Sequence, residues 1–192
     1  MTIKLSSAVV CFLLSMGLTL SCSKPKPMST TVRSLYYWST TLNIDYTKSA
    51  FIRRYDISRM YIRYFDVVTD ASGRAVPNAT LKFATCVPQG IDVVPTVFVM
   101  PECLRQDRQQ LAALIVKRVV QMNETNDVHN VREIQIDCDW TRSTRLLYAE
   151  FMQAMLGECH NRHLKLSSTI RLHQLAQTPP PADRGVLMMY NT

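Results

Sequence analysis

Asp137 and Asp139 are the residues of this chain whose type and spacing most directly suggest chemistry. They lie in Glu133-Ile134-Gln135-Ile136-Asp137-Cys138-Asp139-Trp140-Thr141, a largely apolar run that reads as a buried strand. Side chains alternate along a strand, so Gln135, Asp137 and Asp139 would share one face and Ile134, Ile136 and Cys138 the other. Two carboxylates spaced this way sit roughly 6.6 Å apart at Cα, close enough to tune each other's protonation through like-charge repulsion. The plainer alternative is a helix N-cap beside a solvated loop acid, but capping needs one acid and does not call for two at alternate positions.

The neighbouring elements must bring those acids to a usable place. An amphipathic helix is expected from about Thr141 to His160, with Leu147, Tyr148, Phe151, Met152 and Met155 on its inner face. The resulting unit of strand, acidic tip and helix is the arrangement in which α/β proteins display their chemistry. Upstream, Leu35 to Ser39 reads as a short aromatic strand, and Thr47 as the cap of a helix reaching Tyr55. Arg59 to Val68 is a strong strand, Asp70 to Gly73 a turn, and Thr80 to Phe83 a short accessory strand. Ile91 to Val99 is nearly all apolar, as strands buried on both faces are, although Pro95 argues against a fully hydrogen-bonded central position. A helix with Leu111, Leu114, Ile115, Val119 and Met122 on one face is expected between Leu104 and Gln121. Leu164 to Leu172 is a fifth strand, Pro179 to Pro181 a loop, and Gly185 to Asn191 a sixth strand.

Strands separated by helices imply a parallel sheet with right-handed connections. Five glycines and the absence of GxGxxG or GxxxxGK remove the usual sign of a nucleotide-binding sheet, which favours a barrel. A complete barrel of eight units takes about 250 residues. The expected fold is therefore α/β, a partial (β/α) TIM-like barrel of about six parallel strands over residues 32–192. A chain ending directly after a strand suggests truncation, with an exposed edge that invites aggregation.

Residues 1–21 read as a lipoprotein signal peptide. Lys4 precedes an apolar run from Ala8 to Leu20, too short to span a bilayer, and Thr19-Leu20-Ser21-Cys22 resembles a lipobox with Cys22 as the lipidated residue. Residues 22–31 form a proline-bearing tether. The expected location is the bacterial cell envelope, lipid-anchored; Lys24 and Lys26 in place of an acidic stretch favour a periplasm-facing outer-membrane anchor. The net charge is +7, with the basic residues spread along the chain. No aromatic-interleaved basic stripe is present, so no nucleic acid partner is expected. Of the six cysteines, Cys86, Cys103, Cys138 and Cys159 are open to bridging. Pairings Cys103 with Cys138 and Cys86 with Cys159 suit the strand ends, and four free thiols are an equal alternative. Neither cysteines nor histidines have metal-ligand spacing, so no metal and no cofactor are expected.

The run from Ile134 to Trp140 resembles the DxDW-type strand of glycoside hydrolases and their barrel relatives. Leu166 to Gln174 and Asp183 to Asn191 resemble segments of an uncharacterised bacterial family, the domain of unknown function 3142, and the resemblance covers roughly Tyr36 onwards. It implies a glycosidase-like barrel. In family 18 chitinases the comparable strand is Asp-x-Asp-x-Glu. Its two aspartates map onto Asp137 and Asp139, and Thr141 takes the place of the proton-donating Glu.

Glycoside cleavage needs one carboxyl as proton donor and a second as nucleophile or base, about 5–5.5 Å apart for retention or about 6.5–9.5 Å for inversion. Asp139 is the leading acid/base candidate, with Asp137 its partner. Arg63, Asp66, Arg171, Tyr190 and Asn191 join them at expected strand ends, with Glu102 and His173 nearby and Trp38 and Trp140 as platforms for a sugar ring. Each also has a plain structural role open to it; either arginine could simply neutralise the aspartates. The function implied is binding, and hydrolysis if catalytic, of a glycan. Its alternatives are a non-catalytic carbohydrate- or protein-binding lipoprotein and a non-functional fragment.

Overall fold

The computed structural model describes residues 31–189, so the expected signal peptide, Cys22, most of the tether, Tyr190 and Asn191 lie outside the described residues. In chain order the elements are β1 (Ser34–Tyr37), β2 (Thr41–Leu42), α1 (Tyr46–Arg54), β3 (Arg59–Thr69), β4 (Ala75–Asn78), β5 (Lys82–Phe83) and β6 (Asp92–Val99). They continue with α2 (Arg108–Thr125), β7 (Glu133–Asp137), α3 (Arg145–His160), β8 (Lys165–Arg171) and β9 (Arg184–Met188), with 3-10 turns at Pro101–Arg105 and Leu172–Gln174.

Six parallel strands in the order β1-β3-β6-β7-β8-β9 form a curled half-barrel with helices between them. This is the partial α/β TIM-like barrel expected from the alternation of patterns. β4 folds back antiparallel on β3, and β2 and β5 make a separate two-stranded parallel pair. The hairpin was not foreseen beyond its turn, where Asp70 Oδ1 accepts from the Ser72 hydroxyl at 2.6 Å and from the Ser72 and Arg74 amides at 2.8 and 3.0 Å.

Several boundaries move for identifiable reasons. Asp45, not Thr47, caps α1, accepting the Lys48 amide at 2.8 Å. Pro101 opens a 3-10 turn that takes in Leu104, the expected start of the next helix, and α2 starts after Asp107, which accepts the amides of Gln109 and Gln110 at 3.0 Å. α3 starts at Arg145 because Thr141 and Thr144 form a turn of their own, the Thr141 amide donating to Thr144 Oγ1 at 2.9 Å.

Pro95 lies within a central strand after all, paired in register with Ile62 of β3. It is tolerated there because the regular β6–β7 ladder runs only from Thr96 to Phe98, so Pro95 falls just short of it.

The core fills the space between the outer face of the sheet and the helices. Ile62, Val97, Val99, Ile134, Ile136 and Leu166 pack in one apolar cluster with Leu111, Ile115, Val119, Phe151, Met152 and Met155. Burying a side chain of this size contributes roughly 1.5–3 kcal/mol. Tyr148 adds a polar tie between layers, its hydroxyl 2.8 Å from Ser168 Oγ on β8.

Candidate functional site

All five residues of β7 are buried, yet their chemistry splits by parity. Ile134 and Ile136 join the helix-side core, while Glu133, Gln135 and Asp137 face the concave side of the half-barrel, where their partners come from other strands. Gln135 is fully enclosed. Its Oε1 accepts from Tyr36 of β1 at 2.9 Å and from Thr96 of β6 at 3.4 Å, and its Nε2 donates to Ser167 of β8 at 3.4 Å.

One step towards the C-terminal end, Asp137 is 4% exposed and its Oδ1 accepts from Thr169 at 2.6 Å and from Arg171 Nη2 at 3.0 Å. Asp139 lies beyond the end of β7, has a half-exposed side chain, and pairs with Nε of the same Arg171. One guanidinium therefore holds both acids. Asp137 is the enclosed carboxylate, bonded through Oδ1; Asp139 is the one that a solute can reach.

Arg171 is itself positioned by a residue without an evident sequence signal. Its amide donates to Gln174 Oε1 at 2.9 Å, and Gln174 Nε2 donates to the Trp140 carbonyl at 3.0 Å. Gln174 is 2% exposed and ties the turn after β8 to the segment after β7. Thr169 was likewise missed, because its role depends on β8 lying beside β7, a tertiary fact that a local pattern does not carry.

Arg63 and Asp66 form their own pair, with Nε donating to Oδ1 at 2.7 Å and Nη2 pairing with Oδ2. On a regular strand residues three apart face opposite sides. Here the β3–β6 register shifts between Arg63 and Phe65, a bulge at Tyr64 that turns Asp66 to the face of Arg63. The displaced Tyr64 carbonyl accepts the Leu81 amide at 2.7 Å, and its hydroxyl donates to Asn123 at 2.8 Å. Asp66, Phe98 and Asp137 are register partners across three adjacent strands, a row of acid, ring and acid. Thus Arg171, not Arg63, neutralises the aspartates.

The two tryptophans part company. Trp38 is 39% exposed and ends a ladder of rings: it stacks on Tyr36 at 5.7 Å and 4°, and Tyr36 on Tyr61 at 4.6 Å and 20°. Burial pushes the Tyr36 phenol up, with its bond to Gln135 acting against that, so it stays a neutral donor. Trp140 corrects the expectation of a second platform: it is 1% exposed, stacked on Tyr148 at 5.7 Å, and part of the core. Alternation carries Trp140 to the helix side with Cys138, just as it carries Asp139 to the mouth.

Glu102 and His173 are exposed, and Tyr190 and Asn191 lie outside the described residues. Thr141 has its hydroxyl 2.8 Å from Ser143 Oγ in the turn before α3.

Cys103, Cys138 and Cys159 are buried free thiols, and Cys86 is exposed and free. Among the described residues no group of three or more His, Cys, Asp or Glu side chains is arranged to hold a metal ion.

Polar residues gathered where the parallel strands end, on a curled sheet backed by helices, belong to a partial TIM-like α/β barrel. Comparison of the fold with solved structures agrees. The spore cortex-lytic enzyme SleL of Bacillus megaterium QM B1551 matches with a TM-score of 0.54 and 14% identity, over 85% of this chain and 44% of that one. SleL of Bacillus cereus matches at 0.49 and 16%, over 83% and 42%, and a chitinase from Chromobacterium violaceum ATCC 12472 at 0.49 and 13%, over 74% and 46%. The chain spans less than half the length of each of these structures. No family model and no curated protein matches the sequence.

Proposed function

We propose that this chain is an envelope lipoprotein, anchored through a lipid on Cys22, whose half-barrel mouth binds a glycan, with Asp139 as the acid that contacts it. The observation that carries this reading is Arg171 gripping both Asp137 and Asp139, which leaves a half-exposed carboxylate at the C-terminal end of the parallel strands. The exposed Trp38 ring supplies the apolar face against which a pyranose stacks. The fold likeness to a cortex-lytic enzyme supports a glycan as the ligand class.

In this reading Asp137 holds Arg171 and Thr169 in place, and Asp139 accepts hydrogen bonds from sugar hydroxyls. Were the domain to cleave its ligand, Asp139 would be its acid/base group and Asp137 the electrostatic partner. A second reading, a binding module without catalysis, is favoured by Thr141, whose hydroxyl is spent on Ser143 where the related motif carries a carboxyl.

Calorimetric titration of the full chain with a panel of soluble oligosaccharides tests both readings. The first expects binding to be lost in Asp139→Asn and in Trp38→Ala; the second expects it to be lost in Trp38→Ala alone. Binding unchanged in both variants would remove the mouth from consideration. Fatty-acid labelling of the expressed chain, abolished in Cys22→Ala, is the expected result for the anchor, and unlabelled wild-type chain would reject it.

A further inference from the structure

At the opposite end of the strands from Asp139, the N-terminal ends of β3, β6, β7, β8 and β9 surround a cavity of about 480 Å³ lined by Arg59, Asp92, Arg132, Glu133, Lys165 and Arg184, with Asp183 at its side. Each of its acids already has a partner. Asp92 pairs with Arg59 at 3.6 Å and Glu133 with Arg184 at 2.6 Å. Asp183 meets His160 at 3.1 Å and accepts the Leu166 amide at 2.7 Å. Burial raises the Asp183 carboxyl, but the Leu166 and His160 donors, with a smaller contribution from the charge of Lys165, outweigh it and hold the group below its ordinary value.

Two cations remain. Arg132 and Lys165 make no side-chain hydrogen bond or ion pair among the described residues. Their backbones are adjacent, the Lys165 amide donating to the Arg132 carbonyl at 2.9 Å, and both residues line the cavity. The cavity therefore sets four cationic side chains against three acids, with Arg132 and Lys165 exposed and uncommitted, an excess of positive charge that complements an oxyanion.

We propose that this cavity binds a small oxyanionic ligand, a phosphate- or carboxylate-bearing molecule, through Arg132 and Lys165. The site is distinct from the mouth and does not depend on the glycan reading.

Calorimetric titration of the full chain with inorganic phosphate and, separately, with glucuronate tests it and separates the two sources of negative charge. Saturable binding of at least one probe is expected, weakened at least about tenfold in the Arg132→Ala/Lys165→Ala double variant. Lys117→Ala, which removes an exposed charge from α2, should leave the affinity unchanged. Both altered cations are exposed, and Lys165→Gln alone, with a smaller expected loss, decides the matter should the double variant not fold. Absence of binding by both probes, an affinity untouched in the cavity variants, or an equal loss in Lys117→Ala would each overturn the proposal.

Discussion

Arg171 has two very different partners. Its bond to Asp137 is enclosed, with side-chain exposures of 10% and 6%, whereas Asp139 is 52% exposed. Breaking a buried pair by deleting one member costs roughly 3–5 kcal/mol because the surviving charge stays buried, while an exposed pair contributes about 0–1 kcal/mol. Arg171→Ala is therefore expected to destabilise the fold by about 3–5 kcal/mol in urea denaturation, nearly all of it through Asp137. Arg171→Lys should recover only part of this, since an ammonium lacks the planar fork that reaches two carboxylates. A loss below about 1 kcal/mol in the alanine variant would show that Asp137 finds other support.

Elements differ in how far their sequence betrayed them. β7 was legible because a short apolar run with polar residues at every second position has one sensible reading. The bulge at Tyr64 was not, because no glycine or proline marks it and its cause is tertiary, the Leu81 amide claiming the Tyr64 carbonyl. The same holds for Gln174, whose value appears only once β7 and β8 are neighbours. The hairpin between β3 and β4 was half legible: Asp70 to Gly73 announced a turn, and Gly73 takes φ +80, where a glycine is at ease.

That turn also carries a pH signature. Donation from the Ser72 hydroxyl, then from the Arg74 amide, brings the Asp70 carboxyl down to about 2, against an ordinary value of about 3.9. A carboxyl whose folded value is depressed stabilises the folded state fully above its unfolded value, and that contribution is lost as pH falls through the folded value. Protection of the Ser72 and Arg74 amides, taken as exchange relative to the intrinsic rate at each pH, should therefore be full above about pH 4 and fall as pH drops towards 2. Asp70→Asn should abolish the dependence, and an unchanged profile in that variant would assign it to another group.

At the scale of the whole molecule, three thiols report on the integrity of the sandwich of sheet and helices. Burial, then the charge of Glu102, pushes Cys103 up to about 11; burial lifts Cys159 to about 12 and Cys138 further still. The thiolate is the reactive form, so these groups are inert while the layers stay closed. Iodoacetamide at pH 8 should modify Cys86 in the native protein and reach Cys103, Cys138 and Cys159 only on unfolding, as read by peptide mass mapping. Native modification of Cys138 would mean that the helix layer opens readily. The sequence left bridging and free thiols equally open, because it does not show which cysteines face each other across a packed layer.

Gln135 has a consequence for the whole half-barrel. Tyr36 and Ser167 belong to strands that are not adjacent, and a single amide side chain touches both. The curvature between them is thus gauged from within by a polar caliper of fixed span, seated a layer below the opening. The width available to a ligand at Trp38 and Asp139 is set at that depth, so the aperture would change through residues that no ligand ever meets.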